Sequence, residues 1–295
     1  MTVLQAIILG IVQGLTEFIP ISSTAHLIFA SRLIGLYNGV DAALKAEQTT
    51  ATIAVIQLGT LLAVFIYFAR DIVNITAAFV RDHVAILKGR NRTDGSKSLS
   101  QDAWLGWLVI LGSIPVAVVG LLFKHQIEGT FTKNLWIIAT MMIVVALLLG
   151  LAELVGKRNR ALEQLGISDA LAVGCAQVLA LIPGSSRSGS TIMAGLFAGQ
   201  TRETAARFSF LLSMPAIAAS GLLELKEAMH KLPDGSYLPM IVATIMSGLV
   251  GYASIWFLLR FLRTHSTGIF IVYRLVVGGA IIFALVGGYI SATAG

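Results

Sequence analysis

Three side chains near the start of the chain have types and spacing suited to nucleophilic attack. Glu17 lies within an apolar segment, and Ser23 and His26 follow it shortly after Pro20. If that segment lies in a membrane, its carboxylate costs roughly 2.5–3.5 kcal/mol, so it is a functional candidate by default. His26 follows Ser23 by three residues and Ser22 by four, so on a helix it shares a face with either hydroxyl. A hydroxyl beside a base is the general form of a serine nucleophile.

The polar residues around this trio also have simpler explanations. Gln13 precedes Glu17 by one helical turn, about 5.4 Å, so both side chains lie on one face. The carboxylate could instead sit near the interface, satisfied by a neighbouring hydroxyl or a helix end. The hydroxyls of Ser22, Ser23 and Thr24 come directly after a proline turn, which predicts the start of a short helix. One of them is expected to cap that helix.

A second polar loop has the composition of an anion-binding site. It reads Pro183-Gly184-Ser185-Ser186-Arg187-Ser188-Gly189-Ser190-Thr191. Glycines let the backbone turn tightly, while serines and free N–H groups at the following helix start cradle phosphate. Arg187 adds a planar fork for two phosphate oxygens. The alternative is an arginine reaching the interface, but long apolar stretches on both sides argue against it. The loop is not a P-loop, because the Gly-Lys-Ser/Thr ending is missing.

The composition identifies the class of protein that must position these residues. The chain has 295 residues, of which 56% are hydrophobic and only 12% charged. Soluble domains carry about 25% charged residues, and disordered chains are poor in apolar ones. Cys175 is the only cysteine, which excludes a disulfide scaffold. The net charge of +6 is explained by basic cytoplasmic loops, so we expect a helical membrane protein and no nucleic-acid partner.

Segments of about 20 apolar residues predict six membrane-spanning helices. They are residues 50–69, 104–123, 135–155, 207–223, 238–259 and 269–291. A weaker segment, 72–87, is expected to be partial or interfacial. Three apolar stretches are too short to cross a membrane: 1–19, 25–36, and 168–182 with its continuation 189–199.

Basic residues predict the orientation of the chain. The loops 70–102 and 156–163 flank a helical hairpin and must share a side, which their Lys and Arg content makes the cytoplasm. Arg260 and Arg263 mark a further cytoplasmic loop. The connections expected outside are 37–49, 124–134 and 224–237.

A short internal similarity relates the two polar loops. Residues 18–23 read Phe-Ile-Pro-Ile-Ser-Ser and residues 181–186 read Leu-Ile-Pro-Gly-Ser-Ser. In the predicted orientation, 1–36 enters the membrane from outside and 168–199 from the cytoplasm. Broken short segments at matching places in two halves are typical of an inverted repeat with a site near the membrane midplane.

The expected fold is therefore an all-α polytopic membrane protein. About six full transmembrane helices are joined by two re-entrant helix–loop–helix regions in an inverted-topology repeat. We expect one integral membrane domain over 1–295, with halves of about 1–155 and 167–295.

Together the two loops would suit attack on a phosphoryl group, which requires positioning and charge neutralisation. A site reached through lipid suggests a substrate with an apolar tail, hence a lipid phosphate or pyrophosphate. The main alternative is a lipid-phosphate transporter or flippase, because inverted repeats with broken helices are a transporter architecture. A membrane scaffold without chemistry would leave Glu17, His26 and Arg187 unexplained.

Isolated polar residues elsewhere carry weaker expectations. Arg274, inside the last span, is expected to reach the interface or to pair with an acidic group. Glu153, at a span end, is expected to be solvated. The remaining histidines are scattered and suggest no metal site.

The loop motifs resemble those of a known family. Residues 13–26, Gln-Gly-Leu-Thr-Glu-Phe-Ile-Pro-Ile-Ser-Ser-Thr-Ala-His, are similar to the N-terminal motif of bacterial undecaprenyl-pyrophosphate phosphatases of the BacA type. Residues 183–189 are similar to that family's second motif. Ile-Gln-Leu-Gly at 56–59 and Phe-Ser-Phe-Leu-Leu at 208–212 extend the resemblance over most of the chain.

The resemblance implies hydrolysis of undecaprenyl pyrophosphate to undecaprenyl phosphate and inorganic phosphate in the bacterial plasma (inner) membrane. That reaction recycles the lipid carrier for peptidoglycan synthesis and confers bacitracin resistance. By the same resemblance, Ser23 is the nucleophile, although attack by His26 stays open. Glu17 and His26 form the acid–base pair. The implied substrate-binding residues are Arg187, Ser186, Ser188, Thr191, Gly184, Ser22, Thr24 and Gln13.

The resemblance also bears on metals and assembly. Gln13 stands where the family has the first glutamate of a paired-acid motif, which argues against a metal-ligand or base role there. The family implies support by Mg²⁺ or Ca²⁺. With Glu17 as the one obvious acidic ligand, such an ion is expected mainly on the pyrophosphate of the substrate. The expected partner is undecaprenyl pyrophosphate in the bilayer, and a homo-oligomer is compatible with the sequence.

Overall fold

The computed structural model describes residues 1–89, 99–123, 134–231 and 237–292, and within these ranges the chain is almost entirely helical. The helices are α1 (Val3–Phe18), α2 (Ser23–Leu33), α3 (Ala42–Tyr67), α4 (Ala69–Leu87), α5 (Gln101–Leu122), α6 (Leu135–Val155), α7 (Ile167–Val178), α8 (Arg187–Phe197), α9 (Arg202–Lys231), α10 (Tyr237–Leu262) and α11 (Gly268–Val286). Short 3₁₀ turns occupy Leu162–Gln164 and Leu179–Leu181.

Five of these helices are long and apolar enough to cross a membrane. They are Glu47–Tyr67 of α3 and the whole of α5, α6, α10 and α11. They coincide with five of the six predicted spans, which confirms a polytopic all-α membrane protein. The sixth predicted span, 207–223, lies inside the 30-residue helix α9. Parts of the predicted connections, at 90–98, 124–133 and 232–236, lie outside the described residues.

The helix α4 covers the segment predicted to be partial or interfacial. It has 19 residues and is strongly amphipathic, with Val73 and Val80 exposed and Asp82 buried. The Asp82 carboxylate accepts a 2.7 Å hydrogen bond from the backbone N–H of Ser100, just before α5. The pKa of Asp82 is lowered to about 2, chiefly by its hydrogen bonds from Ser100.

Both predicted re-entrant regions are short helix–loop–helix units. The first joins α1, of 16 residues, to α2, of 11. The second joins α7, of 12 residues, to α8, of 11. Ile19 and Ile182 end the first arm of each unit in extended backbone, with ψ of 136° and 123°. Each isoleucine precedes a proline, which sterically disfavours the helical conformation for the residue before it.

The two loops match in a different register from the one the sequence suggests. The sequence similarity pairs Ser22 with Ser185, but the structure places Ser22 and Ser186 at the equivalent position before α2 and α8. Both have positive φ, 76° and 66°, which is uncommon outside glycine. The second loop has one extra residue after its proline, so Ser23 and Arg187 are the first residues of their helices.

Close helix contacts hold the first arms of both units inside the bundle. The helix α1 packs against α10, and α7 packs against α5. A Cβ on Gly14 would lie 2.7 Å from the backbone nitrogen of Gly251, and one on Gly174 would lie 2.2 Å from the carbonyl oxygen of Gly112. Only glycine permits the two helix backbones to approach this closely. Each first arm is therefore held in the bundle by direct packing of one helix backbone against another.

Candidate active site

A buried carboxylate joins the two loops. Glu17, at the end of α1, accepts a hydrogen bond of 2.9 Å at Oε1 from Nη2 of Arg187. Its Oε2 accepts from the hydroxyl of Ser23 at 2.9 Å and from the side-chain amide of Gln13 at 3.1 Å. Burying a charge is costly unless it is paired and hydrogen-bonded. These three donors meet that requirement, so both loops are held at one point.

Gln13 connects this carboxylate to the long helix α3. Its amide nitrogen also lies 3.4 Å from the hydroxyl of Thr60, which itself donates to the backbone carbonyl of Gln57 at 2.7 Å. The carbonyl oxygen Oε1 of Gln13 is buried and has no partner among the described residues. Buried polar atoms are nearly always hydrogen-bonded, so this oxygen is expected to accept from water or from a ligand. Gln13 therefore orients Glu17 and leaves one polar atom open.

The hydroxyl of Ser23 is directed at Glu17 and not at His26. The sequence expectation paired the imidazole with a serine hydroxyl, but His26 contacts other groups. Its Nδ1 lies 2.7 Å from the carbonyl oxygen of Ser22, and its Nε2 lies 2.6 Å from the hydroxyl of Tyr273. The group beside Ser23 that can accept its proton is thus the carboxylate.

The partners of His26 determine its tautomer. A carbonyl oxygen only accepts, so Nδ1 carries a proton and donates to Ser22. In the neutral ring Nε2 is then the acceptor, and Tyr273 donates to it. The two rings also stack with centroids 5.6 Å apart. Tyr273 lies 247 residues away on α11, and its sequence context contains no signal for this role.

One terminal nitrogen of Arg187 is bound to Glu17, and the other has no partner among the described residues. Its side chain is 13% exposed, and Nη2 is bound to Glu17. The other terminal nitrogen, Nη1, is buried without a partner among the residues that the structure describes. Unsatisfied buried guanidinium donors are rare and costly. An oxygen-rich anion in the space between the loops would satisfy this group.

The start of α8 supplies further polar groups. Ser186 caps the helix by accepting from the backbone N–H of Gly189 at 3.2 Å, and its hydroxyl lies 3.2 Å from that of Ser188. Thr191 is fully buried and donates to the carbonyl of Arg187 at 2.8 Å. Its hydroxyl also contacts the hydroxyl of Ser209 on α9, so it joins two helices.

Two of the three remaining predicted binding residues, Gly184 and Ser22, shape the loops. Gly184 has a φ of +91°, and a Cβ there would lie 2.2 Å from the carbonyl oxygen of Ile138. Ser22 contributes its carbonyl to His26. Thr24, one residue into α2, is exposed. Gly184 and Ser22 thus act on the site through backbone geometry.

Arg274 clamps both loops from α11. The expectation that it reaches the interface or pairs with an acid is wrong, because its side chain is fully buried and donates to backbone carbonyls. The acceptors are Pro20 at 3.3 Å, Gly184 and Ser185 at 3.0 Å each, Met141 at 3.2 Å and Met142 at 3.1 Å. Non-helical loops leave carbonyls without intrahelical partners, and the guanidinium satisfies three of these, while its contacts with Met141 and Met142 attach it to α6. Sequence reasoning noted the charge but not this role.

Glu153 also departs from its expectation. It is not a solvated carboxylate but the centre of a polar network at one end of the bundle. It accepts from Arg202 at 2.8 Å, from Arg158 at 2.9 Å and from the backbone N–H of Thr267 at 2.8 Å. These contacts join the end of α6 to the starts of α9 and α11.

The donor set does not form a protein cage for a divalent cation. The described residues contain no group of three or more His, Cys, Asp and Glu side chains that could hold a metal. Glu17 is the carboxylate at the site, and both of its oxygens already accept from protein donors. Mg²⁺ and Ca²⁺ require several oxygen ligands. Gln13 and Glu17 alone do not meet that need.

The sequence is similar to known proteins over nearly its full length. Residues 6–280 match the model of the family described as bacitracin resistance protein BacA. The chain is 53% identical to an undecaprenyl-diphosphatase of Syntrophobacter fumaroxidans, over 96% of this chain and 97% of that protein. It is 46% identical to proteins of the same name from Chlorobium luteolum, over 98% and 99% of the two chains, and Chlorobium limicola, over 99% and 100%.

Proposed function

The chain belongs to the family of the bacitracin resistance protein BacA, and we propose that its buried site hydrolyses undecaprenyl diphosphate. The protein is a multi-pass membrane enzyme that releases undecaprenyl phosphate and inorganic phosphate. It thereby recycles the lipid carrier for peptidoglycan synthesis and confers bacitracin resistance, in the plasma (inner) membrane of a bacterium. The observation that carries the site assignment is the convergence of Ser23 and Arg187 on Glu17 from two separate loops.

Ser23 is the nucleophile in this proposal. Its hydroxyl donates to Oε2 of Glu17 at 2.9 Å, so the carboxylate can take the proton as the oxygen attacks. The new bond forms between Oγ and the terminal phosphorus, while the anhydride P–O bond breaks and undecaprenyl phosphate leaves. Water then attacks the phosphoserine: Glu17 returns its proton to the departing serine oxygen, the carboxylate takes up the proton that the water loses, and inorganic phosphate is released. Glu17 passes this last proton to solvent before the next cycle.

Arg187 binds the phosphates in this proposal. Nη2 holds Glu17 in place, while the buried and unpartnered Nη1 donates to a phosphate oxygen. The first N–H groups of α8, with the hydroxyls of Ser186 and Ser188 beside them, add dipoles that favour an anion. These groups neutralise the charge that phosphoryl transfer spreads over the equatorial oxygens. The isoprenoid tail lies in the bilayer.

His26 and any metal ion have secondary roles. With Nδ1 fixed by the carbonyl of Ser22, Nε2 of His26 is the ring nitrogen that can accept a proton, either from the hydroxyl of Tyr273 or from a phosphate group of the substrate. Because the described residues around Glu17 offer no cage, Mg²⁺ or Ca²⁺ would enter on the pyrophosphate oxygens. No step of the proposed reaction passes through the metal.

The test is release of inorganic phosphate from undecaprenyl pyrophosphate by the purified protein in detergent. Ser23→Ala is expected to lower kcat at least about 10³-fold, because it removes the nucleophile and leaves the other site residues in place. Ser254→Ala is the matched control, because its buried hydroxyl donates to the backbone carbonyl of Val250 within α10 and to none of the site residues described above. It should keep near wild-type activity.

Two outcomes would contradict the proposal. Near wild-type phosphate release by a folded Ser23→Ala protein would rule out serine as the nucleophile. If the wild-type protein releases no phosphate, and both it and Ser23→Ala move the lipid across a membrane, the protein is instead a transporter. Trapping of labelled phosphate on the wild type but not on the variant would support the covalent step.

A further inference from the structure

A polar cavity lies at one end of the bundle, apart from the active site. It has a volume of about 280 Å³ and is formed where α3 meets α4, at the start of α9 and at the end of α10. Its walls combine arginines with aromatic and apolar side chains, including Tyr67, Trp256 and Leu259. Charge patterning in the sequence assigns this end of the bundle to the cytoplasm.

The cavity carries an excess of positive charge. Three arginines and two carboxylates line it, which leaves one positive charge. Both carboxylates are already paired, Asp71 with Arg207 at 2.6 Å and Glu203 with Arg263 at 2.7 Å. Arg260 has no carboxylate partner in the part of the chain that the structure describes, and its guanidinium carbon lies 5.8 Å from the ring centroid of Trp256.

The unmatched donors point to an anion as the ligand. Nε of Arg207 is buried and has no hydrogen-bond partner among the described residues. Arg260 is exposed at the mouth of the cavity, where it is free to contact a ligand. Guanidinium groups of this kind bind phosphate oxygens in a planar, often bidentate geometry. A phosphate group matches both the charge and the donors.

The setting of the cavity favours a phosphate that belongs to a lipid. Tryptophan and tyrosine side chains, here Trp256 and Tyr67, are enriched at membrane interfaces. Trp256 is 53% exposed on a helix that is apolar enough to span the membrane, so the wall of the cavity borders on lipid. Basic pockets between transmembrane helices on this side bind anionic headgroups. We propose that this cavity binds the headgroup phosphate of an anionic membrane phospholipid.

This ligand would be distinct from the substrate in its reacting position. The ring of Phe68, which lines the cavity, packs against Phe210 with centroids 6.2 Å apart, and Phe210 meets Phe18 edge to face at 5.5 Å. These three rings lie between the cavity and Glu17. A headgroup bound by Arg260 therefore does not reach Ser23.

The experiment measures lipid binding by native mass spectrometry of the whole protein, released from a nonionic detergent. Phosphatidylglycerol is the probe, phosphatidylcholine tests the requirement for net negative charge, and inorganic phosphate tests whether the anion alone suffices. We expect one saturable phosphatidylglycerol site that phosphatidylcholine does not occupy. Arg260→Gln should weaken it about five-fold, the equivalent of about 1 kcal/mol for one arginine near the surface.

A matched variant controls for unspecific attraction between basic groups and anionic lipid. Lys157→Gln removes one exposed positive charge at the same end of the bundle but outside the cavity, and should leave binding unchanged. Phosphate release should be unaffected in both variants, which shows that they are folded. Equal weakening by both variants, equal binding of the two lipids, or displacement by equimolar inorganic phosphate would each overturn the proposal.

Discussion

Replacing Arg274 with lysine tests whether one buried cation sets the geometry of both active-site loops. The guanidinium donates five hydrogen bonds to five carbonyls, three of them in the two loops and two in α6. An ammonium group has three donors on one atom and no planar fork, so at least two carbonyls lose their partner. Hydrogen bonds to charged groups contribute about 1.5–3 kcal/mol each, which predicts a loss of about 3–6 kcal/mol.

Catalysis should fall further than the loss of stability alone explains. The lost bonds allow Pro20 and Gly184 to shift, and with them Ser23 and Arg187. A displacement of about 1 Å at a reacting group costs about 10²-fold in rate. We therefore expect kcat for phosphate release to fall about 100-fold in the fraction of protein that stays folded, with little change in KM.

The assay pairs phosphate release with thermal unfolding followed by tryptophan fluorescence in detergent. Arg263→Lys is the matched control, because that side chain is 64% exposed. Replacing its guanidinium with an ammonium group should change the free energy of unfolding by less than about 0.5 kcal/mol. If Arg274→Lys unfolds at the wild-type temperature and releases phosphate at the wild-type rate, the clamp does not position the loops.

Two further predictions concern positions that act on the site without forming its reactive groups. Tyr273→Phe removes the donor to Nε2 of His26 but leaves the contact between Nδ1 and the carbonyl of Ser22. We expect kcat to fall about tenfold and the pH dependence of kcat to change. An unchanged pH dependence would show that the hydroxyl of Tyr273 does not influence the proton transfer at His26. Gly184→Ala should destabilise the fold by about 1–3 kcal/mol in thermal unfolding, because its φ is +91° and its Cβ would meet a carbonyl. Gly120→Ala, whose Cβ would meet nothing within 4 Å, should be neutral or stabilising.

The sequence alone was sufficient to predict the fold class and the positions of the two polar loops. A charged fraction of 12% leaves too few charges for a soluble surface, and long apolar segments have the length that a bilayer requires. Pro20 and Pro183 interrupt two short segments, and the structure shows the break at the isoleucine before each. These features depend on local sterics and on hydrophobicity, both of which are properties of a short stretch of chain.

The candidate residues were visible in the sequence, but their partners were not. Helical spacing suggested that Ser23 would meet His26, because residues three apart share a face. Ser23 is the first residue of α2, however, and its hydroxyl turns back to Glu17 on the preceding helix. The role of Arg274 was missed for a related reason, since a loop carbonyl is not a sequence feature.

What the tertiary structure alone decided is which distant groups meet. Glu17 and Arg187 are 170 residues apart, and His26 and Tyr273 are 247 apart. Spacing along a helix determines neighbours only within about one turn, so such pairs follow from packing between helices. The extra residue in the second loop likewise became visible only when α2 and α8 could be compared. The sequence therefore identified which side chains are chemically capable, and the tertiary arrangement of α1, α2, α8 and α11 selected the atoms that each one contacts.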